Sequence, residues 1–270
     1  MNKAFRTFGQ LLIAALFCIG LARATSFTTD QSDIWNAQDE PGWAAEFVQR
    51  GMTIFVVIYV YDQGSDPTWY SATLEWTGGG ANFAWSGDLY ATKGPWFGTI
   101  PFNPAQVTLR KVGTATWVAQ TVSSGLLTYS VDGVQIAKNL YRYLLHYDDF
   151  QGHYAGGVHR TSAACANPAL NATTEFPALV NIVQNGQTMS VQTVGPGTAS
   201  CNYTGTLSQA GQMGRIIGNF ACTTGESGTF DFFEMQVNIS GITARLAFRY
   251  AVPQGCTATG WFGGARGTTF

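Results

Sequence analysis

Three histidines, His146, His153 and His159, fall within one short stretch, and Asp148 and Asp149 lie among them. These are the residue types that hold a divalent metal. Their spacing opposes it. His153 and His159 share the parity of one strand face, but six strand residues span roughly 20 Å, too far for one ion. They read as ordinary boundary histidines, so no metal site is expected, and no cofactor either. A serine nucleophile finds no support: Gly225-Glu-Ser-Gly228 lacks the G-x-S-x-G spacing of a nucleophile elbow. Nothing else marks a serine as a partner for the clustered histidines. Glu75, Asp88, Asp231 and Glu234 are the carboxylates available for glycoside hydrolysis, yet no pattern pairs them. Solvated strand faces account for all four. No catalytic residue is assigned, and the chain reads as non-catalytic. A secreted hydrolase with an unrecognised site is one alternative, and a structural, envelope-associated protein is another.

The cysteines point to where the protein works. Residues 1–24 read as an export signal. Lys3 and Arg6 precede the apolar run Leu11 to Leu21, and Ala22-Arg23-Ala24 offers small residues at a cleavage point. The run is shorter than the roughly 20 residues a membrane-spanning helix needs. The mature protein is then exported to the periplasm, the cell surface or the medium, with no membrane span. An outer-membrane barrel is not expected despite Phe270, because Arg266 and Thr268 interrupt the lipid-facing alternation. Cys18 goes with the signal, leaving Cys165, Cys201, Cys222 and Cys256, an even set that reads as two disulfides with three connectivities. Folding the chain back around Gly211-Gln212 sets Cys201 opposite Cys222, Tyr203 opposite Phe220 and Leu207 opposite Ile216. Cys165 then pairs with Cys256 by elimination. Removing Lys3, Arg6 and Arg23 also leaves 11 of 14 basic residues against 16 acids, which argues against nucleic acid as a partner.

The elements that carry these residues repeat. Phe47 to Ile54 matches Ile182 to Met189, Tyr70 to Leu74 matches Tyr203 to Leu207, and Gly87-Asp-Leu89 matches Gly218-Asn-Phe220. Gly113-Thr114 and Gln120 to Leu126 match Gly228-Thr229 and Gln236 to Ile242. A period this long means a duplicated domain. Strand alternation is clear in Gly241 to Tyr250, and no segment holds a helical period. Asn185-Gly186 reads as a hairpin turn that pairs Ile182 with Met189 and Val180 with Val191. The fold class is therefore all-β. Two tandem, related antiparallel meander domains of about eight strands each follow the cleaved signal, as barrels or sandwiches. The first spans 25–146 and the second 147–270. Ile54 to Tyr61 departs from alternation, being apolar on both faces. Either a partner element covers it or it is plain β-core.

Asp33-Ile-Trp-Asn-Ala-Gln-Asp-Glu-Pro-Gly-Trp43, with Gln49-Arg-Gly51, Pro67-Thr-Trp-Tyr70, Gly94-Pro-Trp-Phe-Gly98 and Phe102-Asn-Pro-Ala-Gln-Val107, resembles a family of Trp- and Gly-rich β-domains. These occur in exported proteins of proteobacteria. The resemblance covers about residues 31–145 and implies export and a β-fold, with no activity attached. Ala44-Ala45-Glu46 departs from the family pattern.

The copies differ in one place. Between Gly87 and Gly113 lie 25 residues, against 9 between Gly218 and Gly228. The extra stretch, residues 92–112, carries Trp96, Phe97 and Phe102 among glycines and prolines that fix its shape. Such loops often bind, so Trp96, Phe97 and Phe102, with Trp35, are candidate contacts for a glycan or a protein ligand. The competing expectation is that the loop plugs its own barrel. Seven of the eight tryptophans lie in residues 35–117, so the first copy reads as the binding domain and the disulfide-stapled second copy as its support. The leading function is a non-catalytic exported binding or interaction module.

Overall fold

A computed structural model describes residues 29–78 and 83–267. The export signal read over residues 1–24 and the chain end at Thr268 and Phe270 lie outside them. The described chain forms sixteen strands. β1 (Asp33–Asn36), β2 (Ala44–Arg50), β3 (Thr53–Tyr61), β4 (Pro67–Trp76), β5 (Phe83–Lys93), β6 (Thr108–Ala119), β7 (Ser124–Val131) and β8 (Val134–Arg142) close one antiparallel barrel. β9 (Gly152–Ala163), β10 (Thr173–Asn185), β11 (Thr188–Val194), β12 (Ser200–Ala210), β13 (Met213–Cys222), β14 (Ser227–Val237), β15 (Gly241–Val252) and β16 (Thr257–Gly267) close a second, β16 pairing back onto β9. Closure leaves neither sheet an open edge. By contact density the described residues divide into 29–31 with 48–140, and 32–47 with 141–267.

The barrels follow from period-two patterning. On β15, Ile242, Ala244, Leu246 and Phe248 are buried while Thr243 and Arg249 face water. On β3 the inward set is Ile54, Val56 and Ile58, each fully buried. On its second apolar face Phe55 is 46% exposed and Tyr59 43%.

The duplication holds strand by strand. The matched segments place β2 with β10, β4 with β12, β5 with β13, β6 with β14 and β7 with β15, and each barrel orders its strands the same way. Gly87 and Gly218 show why the matched glycines recur. A Cβ would lie 2.1 Å from the Thr73 carbonyl oxygen at Gly87, and 2.0 Å from that of Thr204 at Gly218. Both strands approach a neighbour too closely for a side chain.

Two sequence expectations need correction. The β10–β11 hairpin pairs Ile182 with Val191 and Asn185 with Thr188, so its turn is Gly186-Gln187 rather than Asn185-Gly186. Only Gly186 takes positive φ, at 59°, which suits a turn that needs glycine at its first central position. The slip keeps parity, so Val180, Ile182, Met189 and Val191 still face inward together. The insertion at 92–112 is also not all loop. Thr92 pairs with Leu109 and Lys93 with Thr108, and β6 runs to Lys111 and beyond, leaving 94–107 as the loop. A bulge between Leu89 and Tyr90 lets the ladder continue outward.

Candidate functional site

The second barrel has two unlike ends. The turns after β10, β12 and β14 lie at one end, and this end is shut. Phe150, from the segment entering β9, is fully buried there and belongs to the barrel's core. The Gln184 side-chain oxygen accepts from the Phe150 N–H at 3.0 Å, and the Tyr154 hydroxyl donates to the Phe150 carbonyl at 2.9 Å. Gly214 makes room for the ring, since a Cβ there would lie 2.5 Å from it.

The connections after β9, β11, β13 and β15 lie at the other end, and both disulfides lie with them. Cys165–Cys256 joins the connection after β9 to the one after β15, and Cys201–Cys222 joins the start of β12 to the end of β13. The β12–β13 register is Cys201↔Cys222, Tyr203↔Phe220, Leu207↔Ile216. The bridges hold this rim against opening, which lowers the ordering cost of binding anything there.

Beneath the rim is a cavity of about 460 Å³, within the 300–1,000 Å³ range of small-molecule sites. Small aliphatic side chains from β9, β10 and β11 make one wall: Val158, Ala178, Val180 and Val191. Aromatic rings from β12, β14 and β15 make the other: Tyr203, Phe232 and Phe248. The rings brace each other. Tyr203 lies 5.2 Å from Phe230 edge to face and 5.2 Å from Phe232, and Phe232 lies 5.8 Å from Phe248 edge to face. Gly195, Pro196 and Glu226 from the rim connections complete the mouth.

A few polar groups converge on this apolar space. Arg160 faces inward on β9, sharing parity with Tyr154 and Val158. Its Nη1 donates to the Tyr250 hydroxyl at 3.2 Å, and its guanidinium carbon lies 5.6 Å from the centre of the Phe176 ring. Its Nε is buried without a hydrogen-bond partner. Burial pushes the Tyr203 hydroxyl up to about 12, a hydrogen bond with Thr193 offsetting part of the rise. Burial also raises Tyr250. Both phenols are therefore neutral near pH 7 and able to donate. Arg160 was not singled out in the sequence, although the parity of Tyr154, Gly156, Val158 and Arg160 places a guanidinium on the apolar face of β9.

The residues that the sequence did single out lie elsewhere. Trp35 is 0% exposed and sits under the Arg142 guanidinium at 4.7 Å, with Arg142 held to Asp33 at 2.9 Å. It is a core residue with no face left for a ligand, which corrects its candidacy. Trp96, Phe97 and Phe102 are 70%, 89% and 53% exposed. Trp96 and Phe97 lie 5.4 Å apart in the 94–107 loop, with the Trp96 ring over Gly98. The loop therefore does not plug its barrel with these rings.

The titratable candidates are engaged one by one. His146 lies 3.0 Å from Asp148, whose carboxyl burial raises, and His159 lies 2.9 Å from Glu175 against Trp261. Asp88 pairs with Lys111, Asp231 with Arg215 and Glu234 with Arg245, while Glu75 accepts from Thr53. Among the described residues no three His, Cys, Asp or Glu side chains gather to hold a metal. No helix of the described chain is long and apolar enough to cross a membrane. The two disulfides suggest a fold formed outside the cytoplasm. No protein-family model matches the chain, and no curated protein matches it in sequence.

Proposed function

We propose that this protein is a non-catalytic binding module that holds a small apolar ligand in the second barrel. The carrying observation is the 460 Å³ apolar cavity, shut at one end by Phe150 and opening at a rim that two disulfides brace. At roughly 30 Å³ per water-sized group, the space takes about fifteen heavy atoms. The signal-like residues 1–24, the sparse charge and the disulfides support a protein that works after export, in the periplasm, at the surface or in the medium. The resemblance of residues 31–145 to exported Trp- and Gly-rich β-domains adds to that reading and supplies no activity.

Calorimetry of the full chain with a series of straight-chain alkanols tests the reading. Each added methylene should strengthen binding about fourfold, since burying one contributes about 0.8 kcal/mol. The gain should stop when the chain fills the cavity. No heat and no displaceable ligand by native mass spectrometry for any chain length would sink it.

A second reading rests on Trp96, Phe97 and Phe102, whose exposure in a loop shaped by Gly and Pro favours a glycan or protein contact on the first barrel. Glycan and peptide arrays with the W96A/F102A pair as control test it. Equal binding by the altered and unaltered chains would discard it.

A further inference from the structure

Resting on the reading of the cavity as a binding site, we propose that its ligand is an amphiphile with one carboxylate: the acid group sits on Arg160 and Tyr250, and the apolar body fills the barrel. Arg160 differs from the paired arginines of the same unit. Arg142 has Asp33 at 2.9 Å, Arg215 has Asp231 at 2.9 Å and Arg245 has Glu234 at 3.5 Å. Arg160 has no carboxylate partner among the described residues; its side chain holds one neutral hydroxyl and one aromatic face. A guanidinium carries five N–H donors and stays charged at any physiological pH. Half-buried beside Phe176 and Val158, it has lost part of its hydration without an anion to replace it, and a desolvated charge of this kind is costly unless paired.

Two carboxylates also stand at the cavity mouth. Glu175 accepts from His159 on the outer side, and Glu226 accepts from the Thr224 hydroxyl within the connection after β13. Their placement leaves Arg160 as the charge with donors to spare. A carboxylate meets the guanidinium in two parallel hydrogen bonds. The Tyr250 hydroxyl, kept protonated by burial, is a further donor once the anion takes over its place as acceptor. The wall behind Arg160 is apolar from Val158 down to Val180, so a chain attached to the acid group runs into the barrel without passing a second charge.

The test compares three ligands of equal length on the full chain by calorimetry at pH 7: decanoate, 1-decanol and decylammonium. Decanoate is expected to bind at least about tenfold more tightly than the alcohol, the gain of a charge-assisted hydrogen bond. In R160Q that advantage disappears, so that decanoate and decanol bind alike, and R160K retains part of it. Equal binding of decanoate and decanol in the unaltered chain overturns the acid assignment and leaves the cavity reading standing. Tighter binding of decylammonium transfers the head group to Glu226 and also overturns it. Failure of all three ligands overturns the cavity reading itself. The comparison in the unaltered chain decides the matter even if R160Q does not fold.

Discussion

Ala178 offers the sharpest perturbation of the cavity, because its methyl group faces the empty space from β10 while its backbone stays within a regular ladder. Ala178→Leu adds three carbons. At roughly 30 Å³ each they occupy about 90 Å³ of the 460 Å³ available. A ligand that fills the cavity then loses room for about three methylenes, worth about 2.4 kcal/mol at 0.8 kcal/mol each, or about 60-fold in affinity. A chain short enough to leave the space part-empty, such as 1-hexanol, should bind the variant and the parent alike. Stability should move the other way or not at all, since the new side chain gains contacts where none existed. The assays are calorimetry with 1-hexanol and 1-tetradecanol, the latter long enough to fill the space, and urea unfolding followed by circular dichroism. A loss of about 1–3 kcal/mol in unfolding, the usual result of overpacking, would mean that the space is already filled. Equal weakening of both alkanols, or of neither, would refute the capacity worked out from the volume.

Three further outcomes are expected. The Tyr203 hydroxyl is raised from 10.0 to about 12, so its contribution is intact below about pH 10 and lost as pH climbs to about 12. That contribution is about 3 kcal/mol at roughly 1.4 kcal/mol per pH unit. Urea unfolding across that window should show the parent losing about that much more stability than Y203F, and parallel curves would count against the burial of this hydroxyl. Replacing Cys165 and Cys256 by Ser releases a loop with a sequence separation of 91, against 21 for Cys201 and Cys222. The chain-entropy account gives about 4.6 and about 3.3 kcal/mol respectively, and a larger loss from the shorter loop in urea titration would contradict it. W96A and F102A should each change unfolding free energy by less than about 0.5 kcal/mol, as exposed positions do, whereas W117A should cost about 3–5 kcal/mol because Trp117 is fully buried.

Much of the fold was legible because period-two patterning and close-approach glycines are local signals. The strands of β15 and the β12–β13 register can be read from residues 241–250 and 201–222 without knowing any other part of the chain. The choice between barrel and sandwich was not legible, since it depends on β16 returning to β9, a pairing such as Trp261↔His159 across about a hundred residues. The cavity was invisible for a related reason. Ala178, Val158 and Val191 are ordinary small strand residues, and nothing local says that they confront one another across an unfilled space. The aromatic loop drew attention instead because Trp96 and Phe102 are conspicuous in composition. For Trp35 nothing local tells a surface ring from a core one, since the Arg142 guanidinium that covers it lies 107 positions along the chain.

The duplication itself explains how one architecture came to hold two different interiors. In the first copy Trp35, Trp85 and Trp117 are fully buried. The offset that matches Gly87 with Gly218 sets Trp85 against Ile216, and the offset that matches Gly113 with Gly228 sets Trp117 against Phe232. At each matched position the second copy carries the smaller side chain on the inward face, with the strand pattern intact. Interiors are close-packed, so deleted volume either collapses or remains as space. A closed barrel resists collapse because every strand is hydrogen-bonded on both sides, and here the rim is tied by two disulfides as well. The second copy can therefore keep a hollow that an open sheet would lose. On this argument the cysteines and the smaller inward side chains belong together: the second barrel carries less ring volume inside, and its mouth is held in shape by covalent means.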